Sequence, residues 1–394
     1  MGYYIGESDD VKELLQILEA GLATQTPAIM WGPPGIGKTD LVRAIARKHN
    51  LPLFILLAST MDPTDINGLP AIKRITIERP DGSKEEITVT EPTLQYWAEA
   101  LIREGKGILF FDEANNAVPA VQSTLLSVLQ GRIVGRHTLP NEIWMIAASN
   151  ETADAADGWD LAPPMANRFL HIDVRPNLED WYGGMIVNWG DDIDPNDKES
   201  YRNYILMQRQ RTEVAGFVKQ NPGLLLDMPK DSLARGKGWP SPRSWDAVAR
   251  MLSRIPKPSA THHTLGVRSK IVEGLVGKAA AVAYEKYEKG LKLPPYEVVI
   301  TAPDKIKWKE LSAAETRLIL DVVVVNVSPK NLEQTLQVFG AISTIGERTD
   351  IAASMNKALL NKVKPFVRSG QVNMMQLLPT MKKYAPFLKE AMID

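Results

Sequence analysis

The chain has 394 residues, 44% of them hydrophobic and 24% charged, with 46 Lys+Arg against 47 Asp+Glu. That composition describes a folded chain of two or three domains rather than a disordered one, and a formal net charge of −1 supplies no global attraction for nucleic acid. The absence of cysteine excludes disulfides, thiolate metal sites and cysteine nucleophiles together.

The first stretch, Met1-Gly2-Tyr3-Tyr4-Ile5-Gly6-Glu7, has no basic region and no long apolar core, so it does not read as a signal peptide. An amphipathic helix is expected next. Asp10 is placed to cap it, Glu13 follows three residues later, and Val11, Leu14, Leu15, Leu18 and Leu22 form one side. The apolar run Ala28-Ile29-Met30-Trp31 reads as a buried strand. It leads into Gly32-Pro33-Pro34-Gly35-Ile36-Gly37-Lys38-Thr39, which fits G-x-x-x-x-G-K-[ST]. A helix follows with Leu41, Val42, Ile45 and Ala46 at helical spacing. Strand, glycine-rich turn and helix converge backbone N–H groups and a positive helix end on an anion. The expected ligand is a nucleoside triphosphate, with Lys38 reaching its phosphates and Thr39 holding Mg²⁺.

Leu53-Phe54-Ile55-Leu56-Leu57-Ala58 reads as a second buried strand. Beyond Gly68 the pattern changes: residues 73–78 and 86–90 alternate around Asp81-Gly82, the signature of a β-hairpin inserted into an α/β core. Gly107-Ile108-Leu109-Phe110-Phe111-Asp112-Glu113 is a third strand ending in two carboxylates. Asp112 is placed to share Mg²⁺ with Thr39, and Glu113 to act as the base for attack by water. Residues 131–138 suggest a smaller hairpin. A fourth strand delivers Ser149 and Asn150 to its end, and residues 169–174 form a fifth. Strands alternating with helices predict a parallel sheet covered on both faces, with its site at the carboxyl edge.

After Pro176 helices dominate. They are expected near residues 201–219, 244–255 and 270–289, with Trp181, Met185 and Trp189 four apart on another. Residues 291–309, with Pro294, Pro295 and Pro303, read as a linker to further helices over 313–327, 329–345, 350–368 and 374–392. The apolar run 318–325 is interrupted by Asp321 and too short to span a bilayer, so no membrane segment is expected. A cytoplasmic location fits this pattern. His262-His263 lacks the spacing of a metal site.

The motifs at Gly32 to Thr39, Phe111-Asp112-Glu113 and Ser149-Asn150 resemble the Walker A, Walker B and sensor-1 elements of AAA+ ATPases. The two hairpins resemble the helix-2 insert and pre-sensor-1 hairpin of one branch. Asp62-Pro63-Thr64-Asp65, Asn167-Arg168-Phe169 and Ser241-Pro242-Arg243 are similar to those of the MoxR group. The resemblance covers about the first 290 residues. It implies Mg²⁺-dependent ATP hydrolysis, with Asn150 orienting the attacking water. Arg168 is implied as an arginine finger offered to a neighbouring subunit, and Arg243 as sensor 2; Arg132 and Arg136 compete for the finger's role. It also implies a hexameric ring that remodels a partner protein, with a von Willebrand factor A-type partner as the family expectation. The expected domains are 1–176 (nucleotide-binding), 177–292 (helical lid) and 293–394 (α-helical). A nucleic-acid motor and a non-hydrolysing nucleotide switch are the rival readings.

Overall fold

In the computed structural model the described residues are 6, 8–150, 160–187, 189, 198–258, 263–291, 293–373, 379 and 382. The chain divides into two compact units, chiefly residues 4–180 and 181–394. The first is an α/β unit. Its elements run α1 (Asp9–Thr24), β1 (Ala28–Trp31), α2 (Lys38–Lys48), β2 (Leu53–Leu57), α3 (Pro63–Asn67), β3 (Pro70–Glu78) and β4 (Lys84–Pro92). They continue with α4 (Tyr96–Glu104), β5 (Lys106–Asp112), α5 (Pro119–Gly131), β6 (Ile133–Val134), β7 (His137–Thr138), β8 (Glu142–Ser149), α6 (Pro163–Ala166) and β9 (Leu170–Asp173).

Five strands form one parallel sheet in the order β2-β5-β8-β1-β9. Alternating strand residues separate its two faces. Leu109, Phe111, Met145 and Ala147 pack beneath Trp97, Leu101, Val121 and Leu125 of α4 and α5. Ile108, Phe110, Trp144 and Ile146 pack with Leu18 of α1 and Val42 and Ile45 of α2. The expected sheet, with covered faces and two hairpins, is the architecture found. The helix N-cap differs: Ser8, not Asp10, caps α1 by accepting from the Val11 N–H at 3.2 Å. Asp9 and Asp10 instead lie in the first turn, where a negative charge suits the helix dipole.

The inserted hairpin pairs β3 with β4 over nine residues, from Pro70↔Pro92 to Glu78↔Lys84. Thr93 closes its base, donating its N–H to Leu69 O at 2.8 Å and accepting the Leu69 N–H on Oγ1 at 3.1 Å. Ile75, Ile77, Ile87 and Val89 share one face, as alternation demands.

The second unit is helical. The division falls within α7 (Leu178–Ile186), and α8 (Lys198–Gln220), α9 (Ser232–Arg235), α10 (Pro242–Leu252), α11 (Leu265–Val276) and α12 (Lys278–Gly290) follow. Then come α13 (Tyr296–Thr301), α14 (Ala313–Val325), α15 (Leu332–Thr344), α16 (Thr349–Ser354) and α17 (Asn356–Arg368). The helix expected over 374–392 lies outside the described residues, apart from 379 and 382. Three local expectations need correction. The helix expected over 270–289 is two, because Gly277 (φ 78°, ψ 163°) takes a conformation no helix accommodates. Trp189 is not on the helix with Trp181. Its backbone turns at φ 55°, and its ring lies where a Cβ on Gly184 would stand.

The third correction is the linker. Residues 291–309 contain α13, and Val299, Ile306 and Trp308 enter the core with Leu320, Val323, Phe339 and Ile342. The proline pattern reads as a spacer, but Trp308 is fully buried and its indole N–H donates to Pro303 O at 2.7 Å. Residues 177–292 and 293–394, expected as separate domains, therefore share one compact unit from 181 onward. Asp321, the charge that interrupts the apolar run, is itself 6% exposed and accepts from the Tyr182 hydroxyl at 2.5 Å. Burial raises its pKa, and the Tyr182 hydrogen bond and Arg317 oppose the shift. Trp308→Ala should destabilise this unit by about 3–5 kcal/mol, the usual cost of a large cavity, read as a lower urea midpoint; a spacer residue would leave that midpoint unchanged.

Candidate functional site

The carboxyl ends of β1, β8 and β5 lie side by side, because Trp31 pairs with Ser149 and Phe111 with Ala147. Everything emerging from those ends meets at one edge. From β1 comes the loop Gly32 to Gly37, and α2 opens at once with Lys38. Gly37 has φ 97°, and a Cβ there would point into open space. That conformation costs a glycine little and leaves the loop's inner side free for a ligand.

Lys38 is only 9% exposed. Its ammonium donates to Gly32 O at 2.6 Å, Pro33 O at 3.1 Å and Asn150 Oδ1 at 3.0 Å. The ammonium is thus held at the loop by two backbone carbonyls and the Asn150 amide oxygen, where a charge-assisted bond to an incoming phosphate can form. Thr39 donates its hydroxyl to Asp112 Oδ2 at 2.8 Å. One hydroxyl and one carboxylate at a phosphate loop fit Mg²⁺, which takes few protein ligands and keeps water and substrate phosphate for the rest. Among the described residues no group of three His, Cys, Asp or Glu forms a metal site elsewhere.

Glu113 leaves β5 in the left-handed region, φ 55° and ψ 42°. A non-glycine residue held there stores of order 1–3 kcal/mol of strain, which the surrounding bonds must offset. Two such bonds are visible: the Glu113 N–H donates to Asp112 Oδ1 at 3.1 Å, and Ser59 Oγ donates to Glu113 Oε2 at 2.6 Å. Asn115, fully buried, donates its N–H to Ser149 Oγ at 3.2 Å and its side-chain amide to Asn150 O at 3.0 Å. It ties the turn carrying Glu113 to the strand end carrying Asn150.

Ser59 and Asn115 escape sequence reading. Neither stands in a motif, and the only signal is that Ser59 follows a buried strand whose end reaches the same edge. Of the expected residues, the structure brings together Gly32, Pro33, Pro34, Gly35, Ile36, Gly37, Lys38, Thr39, Asp112, Glu113 and Asn150. Arg168 is half-buried just beyond α6, its guanidinium donating to Pro164 O. Arg243 lies in the second unit, exposed at the start of α10 and without a hydrogen bond among the described residues. Arg132 has a different role. It donates to Pro140 O and Ile143 O, both at 2.8 Å, and fastens the small hairpin to β8. Burial lowers its pKa, partly opposed by Glu142.

A phosphate-binding loop joined to paired acids and a strand-end asparagine, on a parallel sheet, defines a P-loop nucleotide-binding domain. Residues 28–173 match the family described as ATPase family associated with various cellular activities (AAA). Over 120 residues, 28% of this chain, the sequence is 28% identical to ATPase family gene 2 protein homolog B of Rattus norvegicus, of which it covers 14%. Over 179 residues, 43% of this chain, it is 25% identical to the ATP-dependent zinc metalloprotease FtsH of Ureaplasma parvum, of which it covers 22%. The chain thus spans less than a quarter of the length of these relatives. A crystal structure of NtrX from Brucella abortus is similar at 15% identity and TM-score 0.38, covering 92% of this chain and 69% of that one.

Lys38→Ala should lose nucleotide binding, and Glu113→Gln should keep it while turnover stops; measured ATP affinity beside phosphate release separates the two. Ser59→Ala should leave affinity unchanged and raise basal turnover by roughly tenfold, since a bond worth about 1.5 kcal/mol no longer tempers the carboxylate.

Proposed function

We propose that the chain is a Mg²⁺-dependent ATPase of the MoxR type, working as a hexameric ring that remodels or activates a partner protein. The observation carrying the reading is the convergence of Lys38, Thr39, Asp112, Glu113 and Asn150 at one sheet edge. Lys38 lends its charge to the terminal phosphates, and Glu113 accepts the proton of the attacking water once its carboxylate turns from Ser59. Asn150, fixed through its carbonyl by Asn115, keeps its side chain beside Lys38 and orients that water. Thr39 and Asp112 would hold Mg²⁺, which would supply charge neutralisation at the phosphate oxygens. Arg168 serves the site of the adjacent subunit, and Arg243 acts as sensor 2.

The long hairpin is the surface we assign to the partner, a protein with a von Willebrand factor A-type domain in this reading. Its charge balance favours a protein over nucleic acid. Lys73 and Arg136 both pair with Glu91, at 3.4 and 3.5 Å, and Arg79 pairs with Glu85. With Arg132 committed to carbonyls, Arg74 and Lys84 are left as the hairpin cations without an ion pair among the described residues. Two cations make a weak counterion-release footprint. The non-hydrolysing switch is disfavoured by the strained, hydrogen-bonded placement of Glu113. No described helix is long and apolar enough to cross a membrane.

Replacing residues 73–90 with a short Gly-Ser loop should spare basal hydrolysis and remove stimulation by the partner, because the base of the hairpin at Leu69 and Thr93 is kept; loss of basal turnover in a folded, assembled deletion sinks this assignment.

Arg168→Ala should bind ATP yet hydrolyse it slowly, since an arginine supplied from outside a site is worth ~10³–10⁵ in rate. Mixed with Lys38→Ala subunits, it should regain partial activity wherever an intact loop meets an intact Arg168. Phosphate release across mixing ratios, with subunit exchange verified by mass, reads the outcome. A flat response despite exchange rules out action in trans.

A further inference from the structure

The mechanism leaves His171 unused, although it sits between two of its parts. β1 and β9 run in parallel register with Ile29 opposite His171 and Trp31 opposite Asp173. The Trp31 indole N–H donates to His171 Nδ1 at 2.9 Å, and the rings are within 8° of parallel with centroids 6.0 Å apart. So short a bond at that centroid separation means the rings meet edge to edge in one plane, not face to face. With Nδ1 accepting, the ring proton is on Nε2, which donates to Ala166 O at 2.8 Å. Ala166 ends α6, and Pro164 of the same turn holds the Arg168 guanidinium. One rigid imidazole therefore bridges the residue preceding Gly32 and the turn preceding Arg168.

We propose that Trp31 and His171 form a positioning link that fixes the Arg168 turn against the strand opening the phosphate loop. His171 acts through Arg168 and touches no reacting atom. The inference rests on the reading of Arg168 as the arginine given to a neighbouring site. Because both ring nitrogens are engaged, the imidazole has no rotational slack. A shift at the end of β1 when the loop closes on phosphate is therefore passed to the Arg168 turn. Each bond is partly exposed and adds little to global stability. Placement of a charged group is far more sensitive, since a misplacement of about 1 Å can cost ~10²-fold in rate.

The test uses the full chain in its assembled form. Trp31→Phe, which keeps a ring and removes the N–H, and His171→Phe should each lower kcat by roughly 10- to 100-fold with the ATP KM nearly unchanged. His171→Gln, whose amide N–H can still reach Ala166 O, should recover part of the loss. Amide hydrogen exchange over residues 163–169 should quicken in His171→Phe, while exchange over 28–48 stays as in the parent. In an Arg168→Ala background, His171→Phe should cause no further fall. Parent turnover in both Phe variants overturns the proposal, as does a full additional loss on top of Arg168→Ala. Unchanged exchange over 163–169 shows that the link itself is absent. Parent turnover in Arg168→Ala alone is the separate failure of the arginine reading, seen before His171 is altered.

Discussion

A lysine ammonium almost withdrawn from water is the constraint on which the rest of the α/β unit depends. A buried cation without compensation neutralises or drags its helix out of place. Lys38 keeps its position because Gly32 O, Pro33 O and Asn150 Oδ1 surround it. Two of those acceptors belong to the loop, and the third arrives from β8. The loop therefore closes correctly only if β8 lies next to β1, which is the order the sheet adopts. The same order puts β5 on the far side of β8 and makes Asn150 the centre of the edge. Asn115 then spans the remaining gap through its backbone and side-chain N–H groups, while its own buried Oδ1 has no hydrogen-bond partner among the described residues.

The α/β unit was legible in the sequence where function and local geometry coincide. Gly32 to Thr39 announces a turn, a helix start and a ligand at once, and Phe110-Phe111-Asp112-Glu113 announces both a buried strand and its polar end. The hairpin was legible because alternation around Asp81-Gly82 has no helical interpretation. What stayed hidden depends on contacts between distant residues. Ser59 and Glu113 are 54 positions apart, and a serine after a strand carries no periodicity. Strand order is hidden for the same reason, since the central strands β1, β5 and β8 are apolar on both faces and none records its neighbour.

The helical unit was less legible, and the errors share a cause. Prolines and glycines punctuate a chain whether or not the segment between them is buried. Residues 291–309 carry three prolines and read as a spacer, yet Trp308 supplies one of the largest side chains in the core. In the opposite sense, residues 270–289 look continuously helical by apolar spacing, but Gly277 interrupts them. The buried pair of Tyr182 and Asp321 shows the limit most clearly. An aspartate within an apolar helix reads as a break in hydrophobicity, whereas here it is a core residue whose partner lies 139 positions away.

The arginines illustrate how structure narrows a choice the sequence leaves open. Arg132, Arg136 and Arg168 are equivalent as strings, each a cation near a strand or hairpin. Their bonds differ. Arg132 saturates two carbonyls where the small hairpin joins β8, so releasing it leaves both acceptors without that donor and costs about 1–3 kcal/mol for each buried group exposed to no other partner. Arg136 stands 62% exposed in its side chain and pairs with a Glu91 carboxylate that Lys73 also contacts. Its charge is already compensated, so a phosphate gains less from it. Arg168 is bonded to one carbonyl of its own turn and carries no ion pair among the described residues. A guanidinium held by a single carbonyl, with no carboxylate paired to it among the described residues, is the least costly of the three to redirect onto an anion. In the proposed reading of Arg168, the link of Trp31 and His171 would offset that weak tether. A group that is easy to redirect is also easy to misplace, and only the turn beneath it sets where it points.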